Sequence, residues 1–523
     1  MKSALHNEII LASAGSGKTW QLTNRYIAIM GQALIAGDEV QPERIVAVTF
    51  TRKAAGEFFE SILHKLANAA RDPAEARKLA SDPDDPLHSI FSKLEQQDYV
   101  QLLAIFLRRM PALFLGTLDS FFSAILRSFP AEFGLSSQFD ILDDHAAHLA
   151  RHDVYREVFH TRQDQHRQDF LEAFKRATFG QEEARVVNQL DRFVSKHHEI
   201  FMHAANPELW GNPAAIWPNG SPWIGVQGNL AQDFERLFEV FAADQITDKQ
   251  WDYWHDFRDQ ALLHSPGNSL PLRVRFFLGK FLNEKNWHAI QAGEATFPVN
   301  RRSQTLNEEA CEIIFRITTR LVSAEIEVHL KRTQGIWHVL NQYESSYASL
   351  VRRRGRLTFS DLEIILSGCD LHSQSAPVLS QKPDAFDRLR IDYRLDGRYD
   401  HWLLDEFQDT SPVQWRILER IILELLADGT GERSLFCVGD VKQSIYGFRE
   451  AEPRVLAQLP ERLPILAEVV RNIDKSYRSS RAVLETVNQV FADIGSNPAM
   501  AEEPWEEAAK DFEGMWEEHT PAH

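Results

Sequence analysis

Eight consecutive residues, Ala12-Ser13-Ala14-Gly15-Ser16-Gly17-Lys18-Thr19, set two glycines, a lysine and a hydroxyl at a spacing that suits a phosphate chain. Phosphate oxygens need backbone N–H groups that approach closely, and glycine permits the approach. Lys18 can reach the β- and γ-phosphates of ATP, and Thr19 can hold Mg2+. The strict phosphate-loop pattern has Gly where Ala12 stands. The plain alternative is a glycine-rich turn that happens to contain a lysine, and the apolar run just before it weighs against that. A second constellation is Leu403-Leu404-Asp405-Glu406-Phe407-Gln408-Asp409-Thr410-Ser411, two adjacent carboxylates behind an apolar run. Asp405 can hold the Mg2+ shared with Thr19, and Glu406 can accept a proton from an attacking water. Most carboxylate pairs are only solvated surface. A pair at a strand end, downstream of a phosphate loop, is a specific signal.

These groups need scaffolds that bring them together. Glu8-Ile9-Ile10-Leu11 is a short apolar run entering the glycine-rich turn, and a helical pattern follows through Leu22, Tyr26 and Ile29, with Gly37 able to stop it. Ile45–Val48, Leu113–Leu115, Trp402–Leu404 and Leu435–Val438 read as further buried strands. Short apolar strands alternating with helices predict an α/β fold with a parallel sheet, and such sheets hold ligands at the carboxyl ends of their strands. Two stretches interrupt the alternation. Residues 66–110 are helical in pattern. Residues 145–350 are mostly helical and rich in Trp, including Trp210, Trp217, Trp223, Trp251, Trp254, Trp287 and Trp337. Those aromatics read as core rather than as a binding surface. A long helix is expected from about Asn307 to Val351.

Composition narrows the class. An apolar fraction of 44% with 25% charged residues describes a folded globular chain. The net charge of −18 excludes a generally basic nucleic-acid coat protein but leaves room for a local basic groove. Cys311, Cys369 and Cys437 show no paired metal spacing and fit reduced thiols. Met1–Asn7 is too short and polar for a signal peptide, and no apolar run is long enough for a bilayer, so a cytoplasmic protein without membrane contact is expected.

A third segment, Val438-Gly439-Asp440-Val441-Lys442-Gln443-Ser444-Ile445-Tyr446-Gly447-Phe448-Arg449, completes a pattern. Asp-Glu-Phe-Gln-Asp-Thr together with Gly-Asp-x-x-Gln-Ser-Ile-Tyr-x-Phe-Arg resembles the signature of the UvrD/Rep helicases. Thr49-Phe50-Thr51-Arg52-Lys53-Ala54-Ala55, Gly116-Thr117-Leu118-Asp119-Ser120-Phe121, Leu357-Thr358-Phe359-Ser360-Asp361-Leu362 and Ser476-Tyr477-Arg478-Ser479 fall in the family's order. Asp119 stands where many relatives carry His. The long insertions, and the lack of a clear adenine-reading Gln before the phosphate loop, lean towards the RecB/AddA-like helicase–nuclease branch. The resemblance covers most of the chain and is densest in the motifs.

The resemblance implies roles. Gln443 would report nucleotide state at the γ-phosphate, Arg478 would act as an arginine finger, an effect worth ~10³–10⁵ in rate elsewhere, and Tyr477 would stack on adenine. Tyr446 and Phe448, two residues apart and flanked by Lys442 and Arg449, would stack bases of single-stranded DNA at about 1–3 kcal/mol each. Core packing is the alternative for both, as it is for Phe50. Thr51, Arg52 and Thr117 would hold DNA phosphates without reading sequence. The domains expected are a first RecA-like motor domain in two parts, 1–144 (with the helical insertion at about 66–110) and 351–458, a helical insertion domain at 145–350, and the start of a second RecA-like domain at 459–523. The implied function is an ATP-dependent 3′–5′ helicase on single-stranded and duplex DNA, in DNA repair or double-strand break processing. The implied partner is a second helicase–nuclease subunit. The alternative is a non-catalytic module that binds ATP and DNA within a larger complex. The family's later motifs, and the nuclease site that often follows in this branch, do not occur before His523, which leaves open a fragment of a larger helicase–nuclease subunit, a natural truncation and one piece of a split protein. Two further features have duller readings. His145, His148 and His152 fit a solvated helix face better than a metal site. Arg352-Arg353-Arg354-Gly355-Arg356 fits either a solvated face or a DNA contact.

Overall fold

The computed structural model describes residues 5–133, 135–136, 138–160, 186–242, 246–367, 399–427, 431–444, 452–463, 466, 469–473, 475–500 and 505–522. Contacts gather the chain into two units, residues 1–143 with 352–523, and residues 144–351.

The first unit is an α/β fold around a six-stranded, wholly parallel sheet. Its strands are β1 (Glu8–Ala12), β2 (Ile45–Thr49), β3 (Phe114–Thr117), β4 (His401–Leu404), β5 (Ser434–Gly439) and β6 (Val470–Ile473), in the spatial order β6-β1-β5-β4-β2-β3. Every residue of β2 and β5 is buried, as a parallel strand covered on both faces requires. The pleat divides side chains between two cores. Ile9, Val46, Val48, Trp402, Leu404, Leu435 and Cys437 join one face with Phe121, Phe122, Trp415 and Leu418. Ile10, Ile45, Ala47, Leu403, Phe436 and Val438 join the other with Tyr26, Ile27, Phe58, Ile62 and Phe106. This period of two explains why the strands read as continuous apolar runs in sequence.

Helices α1 (Lys18–Ala36), α2 (Arg52–Arg71), α3 (Gln96–Arg109) and α4 (Leu118–Ser128) cover the first strands. Gly37 ends α1 in a left-handed conformation, its N–H bonded to Leu34 O at 3.1 Å. The helix α5 (Phe359–Ser367) precedes β4, and α6 (Pro412–Leu426) follows it, capped by Ser411 and Gln414 in a reciprocal box. Arg352 and Asp361 are both buried and pair at 3.0 Å, Asp361 also accepting from Thr358 N and Oγ1 at 2.8 Å. The basic run at 352–356 is thus neither wholly solvated nor wholly free for DNA: its first arginine is a core group.

One expectation is corrected. In sequence, Val469–Val470 reads as the opening of a second domain. Instead β6 pairs with β1 in parallel register, Ile9 opposite Val470 and Ala12 opposite Ile473, and extends the first sheet. The free backbone edge of β1 is satisfied by this downstream strand.

The second unit is mostly helical. It contains helices Asp144–His160, Val186–His203, Leu230–Ala242, Asp248–Leu263, Leu272–Phe281 and Glu284–Gln291, and the 43-residue helix Glu308–Leu350, capped by the Asn307 side chain. A hairpin of Ala295–Val299 and Arg302–Leu306, unforeseen in the sequence, precedes the long helix and buries alternate residues. Trp254 packs against Phe277 at 4.4 Å, ring planes tilted by 31°, and donates to Gln304 at 2.9 Å inside an aromatic core with Phe257, Phe281 and Phe297. His148 and His152 lie ring to ring at 4.4 Å, yet among the described residues no group of three or more His, Cys, Asp or Glu is placed to hold a metal. No described helix is long and apolar enough to cross a membrane.

Candidate nucleotide site

The loops after β1, β4 and β5 leave the same edge of the sheet from neighbouring strands, which is where open α/β sheets place ligands. Ala12 is the buried last residue of β1. The Ser13 N–H donates to Ile473 O at 3.0 Å, and Ser13 O accepts from Ser16 N at 3.2 Å, closing the turn. Ala14 is exposed at its crest. Gly15 and Gly17 take left-handed φ of 75° and 90°, which a side chain adopts only at a cost. Gly17 leads directly into α1, so the first amides of that helix face the loop. Ser16 Oγ is buried and makes no hydrogen bond, a polar group waiting for a partner. Thr19 is exposed at the first turn of α1.

Lys18 Nζ lies 2.8 Å from Glu406 Oε2. Glu406 adopts φ 48°, ψ 43°, and among the described residues it shares a side chain at positive φ only with Asn300 and Arg301. Such a strained residue aims its carboxylate where ordinary backbone would not. The Asp405 N–H donates to Val48 O at 2.9 Å, and the Glu406 N–H donates to Asp405 Oδ1 at 3.0 Å. Burial, with the charge of Glu406 added, pushes the Asp405 carboxyl up to about 7 against the opposing pull of Lys18. Burial and Glu406 likewise push Asp409 up to about 6. A cation bound beside these buried carboxylates would offset their mutual repulsion.

Gln443 sits on the turn after β5, its Nε2 donating to Asp440 Oδ2 at 2.7 Å. Two residues unremarked in the sequence tie the carboxylate loop to this turn: the buried Gln408 donates to Glu406 Oε2 at 2.7 Å and accepts from Asp440 N at 2.9 Å. Their only sequence signal is position, one inside each motif. Tyr477 is 64% exposed, and its N–H donates to Gly15 O at 2.9 Å. Arg478 is exposed, and a Cβ on Gly15 would lie 2.7 Å from the Arg478 Cβ and 2.8 Å from Ser476 Oγ. The segment 476–478 is therefore seated on the phosphate-loop crest.

A second group lies at the ends of β2 and β3. Arg52, Gly116, Thr117 and Ser120 line a cavity of about 300 Å³. Arg52 is exposed and Phe50 half-buried. Thr51 Oγ1 accepts from Ala54 N at 3.1 Å, and Thr117 Oγ1 accepts from Ser120 N at 3.2 Å. Both threonines cap helices, and each hydroxyl keeps its O–H to donate. Tyr446, Phe448 and Arg449 lie outside the described residues.

The UvrD/REP helicase N-terminal domain matches residues 2–464. An ATP-dependent helicase/nuclease subunit of Desulforamulus reducens is 25% identical over 524 residues, covering 94% of this chain and 38% of that protein. Its namesake in Enterococcus faecalis is 23% identical, over 93% of this chain and 37% of the relative. The exonuclease/helicase subunit RexA of Streptococcus pneumoniae is 26% identical, over 94% and 38%. The chain thus spans under two-fifths of the length of these relatives. With the motifs in order along a parallel sheet and the family matched over most of its residues, the chain belongs to the UvrD/REP helicase N-terminal domain family.

Proposed function

We propose that this chain carries the ATP-hydrolysing motor site of a DNA helicase that moves 3′ to 5′ along single-stranded DNA. The carrying observation is the convergence of Lys18, Glu406 and Asp405 at one sheet edge, with Lys18 and Glu406 2.8 Å apart. Lys18 is the cation for the β- and γ-phosphates, and the amides at Gly15–Thr19 bind their oxygens. Thr19 and Asp405 would hold Mg2+, which neutralises phosphate charge when bound. Glu406 accepts the proton of the attacking water, and Gln443 senses the γ-phosphate. Arg478 supplies a second positive charge, and the exposed Tyr477 ring stacks on adenine. Arg52, Thr51 and Thr117 hold DNA phosphates, and Phe50, Tyr446 and Phe448 stack bases, with Arg449 on the backbone beside them.

The relatives' names carry the words helicase, nuclease and subunit. Those words support a partner subunit and action on single-stranded and duplex DNA; double-strand break processing or DNA repair, in the cytoplasm, completes the proposed reading. The test is ATP binding and DNA-stimulated turnover by the full gene product. Glu406→Gln keeps ATP binding and loses turnover, because only proton acceptance is removed. Lys18→Ala weakens both. Wild-type turnover in Glu406→Gln would remove the general-base assignment.

A further inference from the structure

Gln408 is 1% exposed, yet its side chain is polar, and both ends of its amide are used. The Nε2 end donates to Glu406 Oε2 at 2.7 Å. The Oε1 end accepts from the backbone N–H of Asp440 at 2.9 Å. Asp440 in turn accepts from Gln443 Nε2 at 2.7 Å. One hydrogen-bonded path therefore runs from Lys18 through Glu406, Gln408 and Asp440 to Gln443. Gly439 makes room for it: a Cβ there would stand 2.6 Å from Gln408 Oε1 and 2.5 Å from a Leu456 methyl.

The same Glu406 oxygen also receives Lys18. Lys18 cannot bind Glu406 and a γ-phosphate equally well at once. When it turns to phosphate, Glu406 Oε2 keeps Gln408 as its partner. Glu406 is held on strained backbone at φ 48°, so a lost side-chain anchor leaves it free to relax.

We infer that Gln408 is a positioning residue for hydrolysis: it fixes the Glu406 carboxylate once Lys18 has left it and couples that carboxylate to the Asp440–Gln443 turn. The inference rests on the reading of Glu406 as proton acceptor. Gln408 touches no reacting atom in this scheme. Its effect belongs in turnover rather than in nucleotide affinity, and displacement of a catalytic group by about 1 Å can cost ~10²-fold in rate.

The experiment compares the wild-type full gene product with Gln408→Glu and Gln408→Met. It measures steady-state ATPase with single-stranded DNA, binding of a fluorescent ADP analogue, and the thermal midpoint. Gln408→Glu keeps an oxygen for the Asp440 N–H; ionised it offers no donor to Glu406, whereas its protonated form can still donate, so turnover is read from about pH 7 to 9. Gln408→Met loses both bonds at similar volume. The expected result is a kcat lower by roughly 10–10²-fold in Gln408→Glu at the alkaline end of that range, where its carboxyl is ionised, with ADP-analogue affinity within about twofold of wild type. If Gln408 only supports the Asp440 backbone, Gln408→Glu turns over as wild type does and only Gln408→Met fails; that result overturns the inference. Should Gln408→Met not fold, the Gln408→Glu comparison still decides. A wild type that binds the analogue but does not hydrolyse ATP refutes the reading of the site, and this inference with it. A wild type that hydrolyses beside an unaffected Gln408→Glu refutes the inference alone.

Discussion

Lys65 offers a test of the environment behind the phosphate loop. Its ammonium donates to Asn24 Oδ1 at 2.6 Å and sits 4.8 Å from the centre of the Trp20 ring, the residue after Thr19. Burial lowers its pKa from 10.5 to about 7, with Asp85 pulling weakly the other way. The folded state therefore disfavours the charged lysine. Between about pH 7 and 10.5 the unfolded chain binds the extra proton, so stability rises with pH across that window. Below pH 7 the full penalty is present, and above 10.5 it is gone. At about 1.4 kcal/mol per tenfold in the proton equilibrium, the whole penalty approaches roughly 4–5 kcal/mol. Solvent reaches this half-buried group and screens part of it, which leaves about 2–3 kcal/mol between pH 6.5 and 9.5. Lys65→Met abolishes the titration. It also strips Asn24 Oδ1 of a partner, at about 1–3 kcal/mol, but that loss does not vary with pH. Urea unfolding of wild type and Lys65→Met at the two pH values isolates the term, since other groups titrate alike in both. The wild type gains about 2–3 kcal/mol on the variant as pH rises. Parallel pH profiles, within about 0.5 kcal/mol, would show that the lysine is hydrated and that the burial argument fails.

The other expectations concern the loop crest, the core and DNA. Gly15→Ala forces a side chain into left-handed backbone and against the Arg478 Cβ at 2.7 Å, so calorimetry should show nucleotide affinity reduced at least about tenfold, by some 1–2 kcal/mol of strain. Arg352→Met leaves the buried Asp361 without its cation and should cost roughly 3–5 kcal/mol in urea unfolding, whereas the exposed Arg354→Ala should stay within about 0.5 kcal/mol. Tyr446→Ala and Phe448→Ala should each weaken single-strand binding by about 1–3 kcal/mol. Arg52→Ala should instead flatten the salt dependence by about 0.7 of a log unit per log of salt, read by fluorescence anisotropy.

The motifs that converge at the candidate site are more legible in the sequence than the wiring that joins them. Gly15, Gly17 and Lys18 announce themselves because few residue types permit close phosphate approach. Asp405 and Glu406 do so because two carboxylates behind an apolar strand have little structural use. The strands were legible because burial on both faces makes them continuously apolar, as in Ile45–Thr49. Arg352 was not, because a buried ion pair depends on Asp361, and spacing alone does not say that two charges face each other inside. Thr51 and Thr117 carry a cap and a candidate contact on one hydroxyl, and sequence separates neither use. The sheet that accepts β6 is not legible because a short strand of mixed polarity, Val470-Arg471-Asn472-Ile473, carries no mark of its partner. The hairpin at 295–306 hid among helices because a few alternating residues around a non-Gly turn, Asn300 and Arg301, lack the usual glycine signal.

The position of β1 has a consequence for how the chain is made. β2 can pair with β3 after a modest stretch of synthesis, but both neighbours of β1 come from far downstream. Even the contact that leads into it, Leu435 N to the Asn7 side chain, closes a loop of 428 residues. At roughly 5–20 residues per second, a ribosome needs about 20 seconds to a minute and a half to deliver those partners. Throughout that interval the Ile9-Ile10-Leu11 segment has emerged with neither edge paired, and such long-range closure is entropically slow. The glycine-rich loop hangs from that segment, so until β5 is made the chain's most recognisable motif sits on an unanchored strand.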